Sequence, residues 1–265
     1  MKKFKLFFLL VVVFGFAKGL FAGDPAQLIK EGDDLFFQGG EVYCLVEATC
    51  INLYSQAIDK YKEAIKVDPK NYDAYWKLSR AYRQYGDEFQ MRNAPNWKDT
   101  TAKYGKLGMA AAQKAIDLDD KRVEGWLLFG LNVGLYSDAV SILTALREGL
   151  KGKTEKALGN AYKIDKNFMD GRPIIAWGRF WAVLPWPLAK VSKGVKILEE
   201  GLRTHGAGKW GSGGSYDFQR LLAEALIRDG GSKNKARAKK LLEETINNCK
   251  IKHHVNKAKE VLDDL

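Results

Sequence analysis

A short pattern recurs along this chain and ends each time in a helix stop. Its first copy is Ala64-Ile65-Lys66-Val67-Asp68-Pro69. The second is Ala115-Ile116-Asp117-Leu118-Asp119-Asp120 and the third Ala161-Tyr162-Lys163-Ile164-Asp165-Lys166. Weaker copies begin at Gly201 and Thr245, so the intervals are 51, 46, 40 and 44 residues. Periods of this size mark an array of one supersecondary unit that buries its apolar face only against its neighbours.

Each clear copy is followed by a stripe of large and small residues. Tyr75, Leu78, Ser79 and Tyr82 fall at i, i+3, i+4 and i+7, and so do Trp126, Phe129, Gly130 and Val133. That spacing is one face of a helix. Small residues let a neighbouring helix come close and aromatic rings fill the space beside it, so successive helices nest as antiparallel pairs. Ala57, Tyr61, Ala64 and Pro69 resemble the second half of a tetratricopeptide (TPR) repeat in type and spacing. Tyr75, Leu78 and Tyr82 resemble its first half.

The copies are longer than that repeat, and the extra residues are expected between the two helices of a hairpin. Gly39–Cys50 is one such insertion. Tyr85–Thr101, with Pro95 and Trp97, is another, and Tyr136–Gly152 is a third, partly helical one. The fold expected for residues 23–265 is all-α: a right-handed superhelix of about five stacked antiparallel hairpins. Val255–Leu265 should cap its end.

The first 22 residues read differently. Lys2, Lys3 and Lys5 precede a 12-residue apolar run, Leu6–Ala17, and Leu20-Phe21-Ala22 offers a cleavage site. This is the layout of a secretory signal peptide cleaved near Ala22, and the expected location is the periplasm. The run is short of the roughly 20 residues that span a bilayer; an uncleaved anchor, with Lys18 snorkelling, stays open. The formal net charge is +11, and losing residues 1–22 removes four lysines and no acid, which leaves +7. That remainder suits acidic partners, an anionic membrane surface or simply a solvated lysine-rich face. Export argues against nucleic acid. It also permits disulfides, and Cys44 and Cys50, six apart, are expected to pair. Cys249 reads as a buried small apolar residue.

Three of the seven tryptophans lie in residues 177–186. Pro173 fits the start of that helix, and Pro185 and Pro187 close it. Trp177, Arg179, Phe180, Trp181 and Trp186 are the candidate ligand- or partner-binding residues. One reading makes the segment ordinary core. The other makes it the lining of a cavity in which Arg179 donates to a carboxylate. Trp97 and Trp210, expected in loops, are further candidates for protein contact.

The segment Trp177-Gly178-Arg179-Phe180-Trp181-Ala182-Val183-Leu184-Pro185 resembles the T-component family associated with TRAP transporters. The run Ala145-Leu146-Arg147-Glu148-Gly149-Leu150, with Lys156-Ala157-Leu158 and Ile164-Asp165 after it, resembles the same family. The likeness covers residues 50–250. It implies a periplasmic helical protein that pairs with a periplasmic solute-binding protein, protomers with a central cavity or pore, and a homo-oligomer, trimers being known in the family. An organic-acid or hydrophobic ligand would fit such a cavity. The chain lacks the lipobox cysteine of lipid-anchored members.

Little else carries chemistry. Gly206-Ala207-Gly208-Lys209 is followed by Trp210, where a phosphate loop needs Ser or Thr, so it reads as an inter-hairpin loop. His253 and His254 are adjacent and diverge by about 100° on a helix, so they read as surface residues. His205 closes the fourth hairpin, and Asp33 and Asp34 read as solvated charge. No nucleophile–base set can be assembled, and no cofactor is implied. The reading is a non-enzymatic exported adaptor of TRAP-type solute uptake. A general periplasmic scaffold for envelope assembly is the alternative.

Overall fold

The computed structural model describes residues 23–38, 49–206, 216–250 and 252–265. They form twelve helices: α1 (Pro25–Gln38), α2 (Thr49–Val67), α3 (Tyr72–Met91), α4 (Trp97–Leu118), α5 (Val123–Val140), α6 (Ile142–Arg147), α7 (Leu150–Asp165), α8 (Phe168–Val183), α9 (Val191–His205), α10 (Asp217–Asp229), α11 (Ser232–Asn248) and α12 (Lys252–Asp263). No strand occurs among the described residues.

The helices pack as consecutive pairs, α1/α2, α3/α4, α5/α7, α8/α9 and α10/α11, with α6 a short wedge inside the third and α12 covering the last. The first helices of successive pairs also touch one another, from α1 through α3, α5, α8 and α10 to α12. They make a continuous inner row. The expected five hairpins and a terminal cap are therefore present.

The recurring pattern marks the same place in every hairpin. Its five copies close α2, α4, α7, α9 and α11. Their opening residues, Ala64, Ala115, Ala161, Gly201 and Thr245, are all buried. A small side chain there lets the next helix lie close. Gly130 does the same inside α5, where a Cβ would run into the Leu158 side chain of α7. The core is continuous as a result: one cluster joins α1–α4, a second α4–α8 and a third α8–α12.

The expected insertion at Tyr85–Thr101 is not a loop. α3 runs on to Met91 and α4 begins at Trp97, so only residues 92–96 connect them, with Asn93 and Asn96 at positive φ. The added residues lengthen both helices because they find partners across the pair. The Tyr85 and Tyr104 rings lie 4.4 Å apart, and the Thr101 hydroxyl donates to the Gly86 carbonyl at 3.0 Å. Tyr136–Gly152 is partly helical, as expected, and contains α6. The Gly39–Cys50 insertion falls mostly outside the described residues. In α8, Met169, Asp170 and Gly171 have left-handed backbone and break the helix. Regular helix resumes after them with Pro173 in its first turn, where no amide hydrogen is needed.

Candidate functional site

The inner row encloses a concave groove of about 960 Å³. Its floor and walls combine apolar side chains (Leu131, Val133, Ile142, Leu146, Phe180 and Val183) with charged ones from several helices. The charged set is central. Arg83 and Asp87 stand one turn apart on α3 with Nη1 to Oδ2 at 2.7 Å. Arg179 of α8 reaches Asp138 of α5 at 3.8 Å, and both are well exposed. Arg172 lines the same wall.

Asp87 feels all of them. Burial pushes its carboxyl above the ordinary aspartate value; Arg83 opposes this most, Asp138 adds to it, and Arg172 and Arg179 oppose it. Three guanidinium groups thus share two carboxylates on one wall. The Arg179–Asp138 pair is the loosest, since an exposed ion pair at this distance contributes little. It is the contact that an incoming anion can replace most easily, because guanidinium is built for bidentate pairing with carboxylate.

A second cluster closes the far end. His254 of α12 is buried, with Nδ1 3.5 Å from Asp217 Oδ1 of α10, and Arg220 pairs with Asp217 and Glu224. His254 is therefore no surface residue. Together with Ala258 and Val261 it lies on the face by which α12 covers the stack. That i, i+4, i+7 spacing was the available signal. The side chain of His253 and the whole of Trp210 lie outside the described residues, as does Cys44. Cys50 is buried at the head of α2, and Cys249 is buried after α11.

The five candidate residues divide three ways. Arg179 and Phe180 line the groove. Trp177 and Trp181 do not line it but pack beside Phe180, with the Trp177 ring stacked on Phe180 at 5.6 Å. Trp181 is 1% exposed and sits edge-on to both Trp177 and Phe180, at 5.1 Å from each. It is core, not lining. Lys193 lies over its ring at 3.9 Å. Trp186 stands on the turn after α8, 88% exposed. Trp97 is the first residue of α4 rather than a loop residue, and it does line the groove.

Sequence reasoning missed Arg83, Asp87, Asp138 and Arg172. Only the i, i+4 pair on α3 left a local trace, and the expected insertion at Tyr85–Thr101 cut between its two members. Asp33 was also misread. It accepts from the Tyr61 hydroxyl at 2.8 Å and from Arg80 at 3.1 Å, and pairs with Lys77, so it ties α1 to α2 and α3. His205 stacks on Phe218 and meets Asn167 Oδ1 at 3.1 Å. Among the described residues no group of His, Cys, Asp or Glu could hold a metal ion.

Residues 52–86, which span most of α2 and the first three-quarters of α3, match the TPR repeat family. No curated protein matches the chain. Among solved structures it is similar to a thermophilic TPR protein of Thermus thermophilus. That match has a TM-score of 0.54 and 14% identity and covers 87% of this chain and 99% of that one. It is also similar to a structure described as MamA protein, with a TM-score of 0.50 and 15% identity over 84% of this chain and 94% of that one. The fold is an all-α, TPR-like helical repeat. A fold of this kind is a scaffold for protein–protein contact, since its stacked units build an extended concave surface.

Proposed function

We propose that this protein is a non-enzymatic, exported adaptor that holds a protein partner in its concave groove. Within that reading it serves TRAP-type solute uptake and docks a periplasmic solute-binding protein. The observation that carries the proposal is the groove itself: an apolar floor beside four arginines, Arg83, Arg172, Arg179 and Arg220, open along the inner row of helices. Apolar floor and polar wall together are what a protein-binding surface needs, the first for affinity and the second for register. The TRAP assignment is supported by the likeness of Trp177–Pro185, whose Arg179 and Phe180 line this groove. Removal of residues 1–22 near Ala22, a periplasmic location and a homotrimer belong to the same proposal. An organic acid would place its carboxylate on Arg179 and its apolar body on Phe180.

The test is affinity capture from the native periplasm with wild type, Arg179→Glu and Val183→Asp. Both side chains are exposed and line the groove, so neither change touches the core. One soluble solute-binding protein should accompany the wild type and be lost from both variants. Envelope machinery in its place would favour the scaffold for envelope assembly, a use to which the length of the groove is also suited. A partner retained by both variants would refute the groove as the docking site.

A further inference from the structure

Trp186 and Leu188 put two exposed apolar side chains into three residues, at 88% and 39% exposure. Bonds from the Leu188 and Ala189 amides to the Pro185 carbonyl, at 2.8 and 3.1 Å, hold the turn that carries Trp186. A third, from the Lys190 amide to the Trp181 carbonyl at 3.1 Å, ties it to α8. An indole is seldom left this open, because it carries one of the largest apolar areas of any side chain.

Beside the turn stand Lys190 and Lys193. Their ammonium groups lie over the Trp181 ring at 4.9 and 3.9 Å. Neither forms an ion pair among the described residues, and the first turn of α9 holds no acidic residue. Lys151 approaches the same ring at 5.9 Å but is taken by Glu155. Burial, and then the charge on Lys190, hold the Lys193 ammonium below the ordinary lysine value. Glu155 offsets part of the charge on Lys193, but neither lysine is engaged in an ion pair among the described residues, so a negative charge arriving here meets two available ammonium groups.

We infer that this corner, the Trp186 turn with Lys190 and Lys193, docks on an anionic lipid surface. The indole enters at the level of the headgroups and the two ammonium groups meet lipid phosphate. The pairing of residue types selects lipid over protein. Lysine is depleted where proteins meet each other, whereas tryptophan beside long basic side chains is the combination that a membrane–water boundary favours. Among the described residues no helix is long and apolar enough to cross a membrane. Trp186, Lys190 and Lys193 do not line the groove, and docking through them leaves it open to a protein partner.

Co-sedimentation of the full chain with phosphatidylglycerol–phosphatidylcholine vesicles, against phosphatidylcholine alone, tests this. Wild type, Trp186→Ser and Lys190→Gln/Lys193→Gln are compared with identical N-termini, so any contribution of residues 1–22 cancels. The wild type should prefer the anionic vesicles. Each lysine should strengthen partitioning about 5-fold, so the double variant should bind about 25-fold more weakly. Trp186→Ser should weaken it by at least about tenfold. All three side chains are exposed, so thermal melts should show every variant folded, the lysine variant lowered only by the loss of its contacts with the Trp181 ring. Equal binding of the wild type to both vesicle types would overturn the inference, as would variants that partition like the wild type. Loss of a captured protein partner in Trp186→Ser, without vesicle binding by the wild type, would also overturn it by assigning the corner to protein.

Discussion

The side-chain amide of Asn132 donates to the hydroxyl of Ser79 at 3.0 Å, across the contact between α5 and α3. The Ser79 hydroxyl passes its own proton on to the Gly108 carbonyl of α4 at 2.8 Å, and Asn132 also donates to the Leu128 carbonyl at 2.9 Å. Both side chains are fully buried. One short polar chain thus fixes three helices, and Leu131 and Val133 on either side of Asn132 face the groove. Buried polar groups cost more to leave unpaired than they contribute when paired. Asn132→Ala and Ser79→Ala should each destabilise by about 1–3 kcal/mol. The double variant should cost less than the two together, by about 1 kcal/mol. Urea denaturation of the four proteins measures this, and strict additivity would show that the two residues act separately.

Trp181 makes the sharper test of which side of α8 is core. Trp181→Ala should lose about 3–5 kcal/mol, as large-to-small changes at a closed aromatic site do. The indole N–H has no hydrogen-bond partner among the described residues. Trp181→Phe removes that orphan donor along with part of the ring, so it should cost clearly less than the alanine change. Partner capture by Trp181→Phe should match the wild type, because Trp181 does not line the groove. A stable Trp181→Ala protein that no longer retains its ligand would reverse this assignment.

The repeat was legible because its marker is local. Five copies of one short pattern end five second helices, and their small opening residues are buried for a single reason, the approach of the next helix. Gly201 shows the constraint most directly, since a Cβ there would overlap the Phe218 ring of α10. The groove was not legible in this way. Arg83, Asp138, Arg172 and Arg179 come from three helices spread over nearly a hundred residues, and only the nesting of α3, α5 and α8 brings them together. Pro95 and Trp97 resembled loop punctuation, yet the Tyr85–Tyr104 contact carries helix almost up to them on both sides. The aromatic run at 177–186 was found from its composition. Helical spacing then decided its division, with Phe180 turned to the groove and Trp181 to the core.

Cys44 and Cys50 are expected to form a disulfide in exported protein, where the compartment is oxidising. Intact mass before and after reduction and alkylation reads it directly. Without reduction, alkylation should modify neither residue. After reduction both should react. Closing so small a loop removes little chain entropy, so reduction should cost no more than about 2–3 kcal/mol and leave the helical signal in place. Two alkylated thiols in unreduced material would rule the bond out.

Glu200 gives the stack a defined response to acid. It accepts from Lys166 Nζ at 2.7 Å and from the Tyr162 hydroxyl, and so joins α9 to α7. These two bonds hold its carboxyl below the ordinary glutamate value, Lys166 more than Tyr162. A carboxyl whose folded value is depressed adds stability above its unfolded value and loses it as the pH falls through the folded one. The loss therefore begins near the ordinary glutamate value, about pH 4, and is completed below it. Tyr162 behaves in the opposite sense. Burial first, and Glu200 next, push its phenol up to about 12. Its contribution is intact below the ordinary tyrosine value of about 10 and disappears as the pH rises toward the folded one. The Glu200–Tyr162 pair should thus contribute a plateau of stability that falls at both ends. Glu200→Gln should lower the melting temperature on the plateau and flatten the acid slope, because the amide no longer titrates. Melts of the two proteins followed by circular dichroism across the acid range decide the matter: an unchanged slope in Glu200→Gln would place the acid sensitivity on another carboxylate.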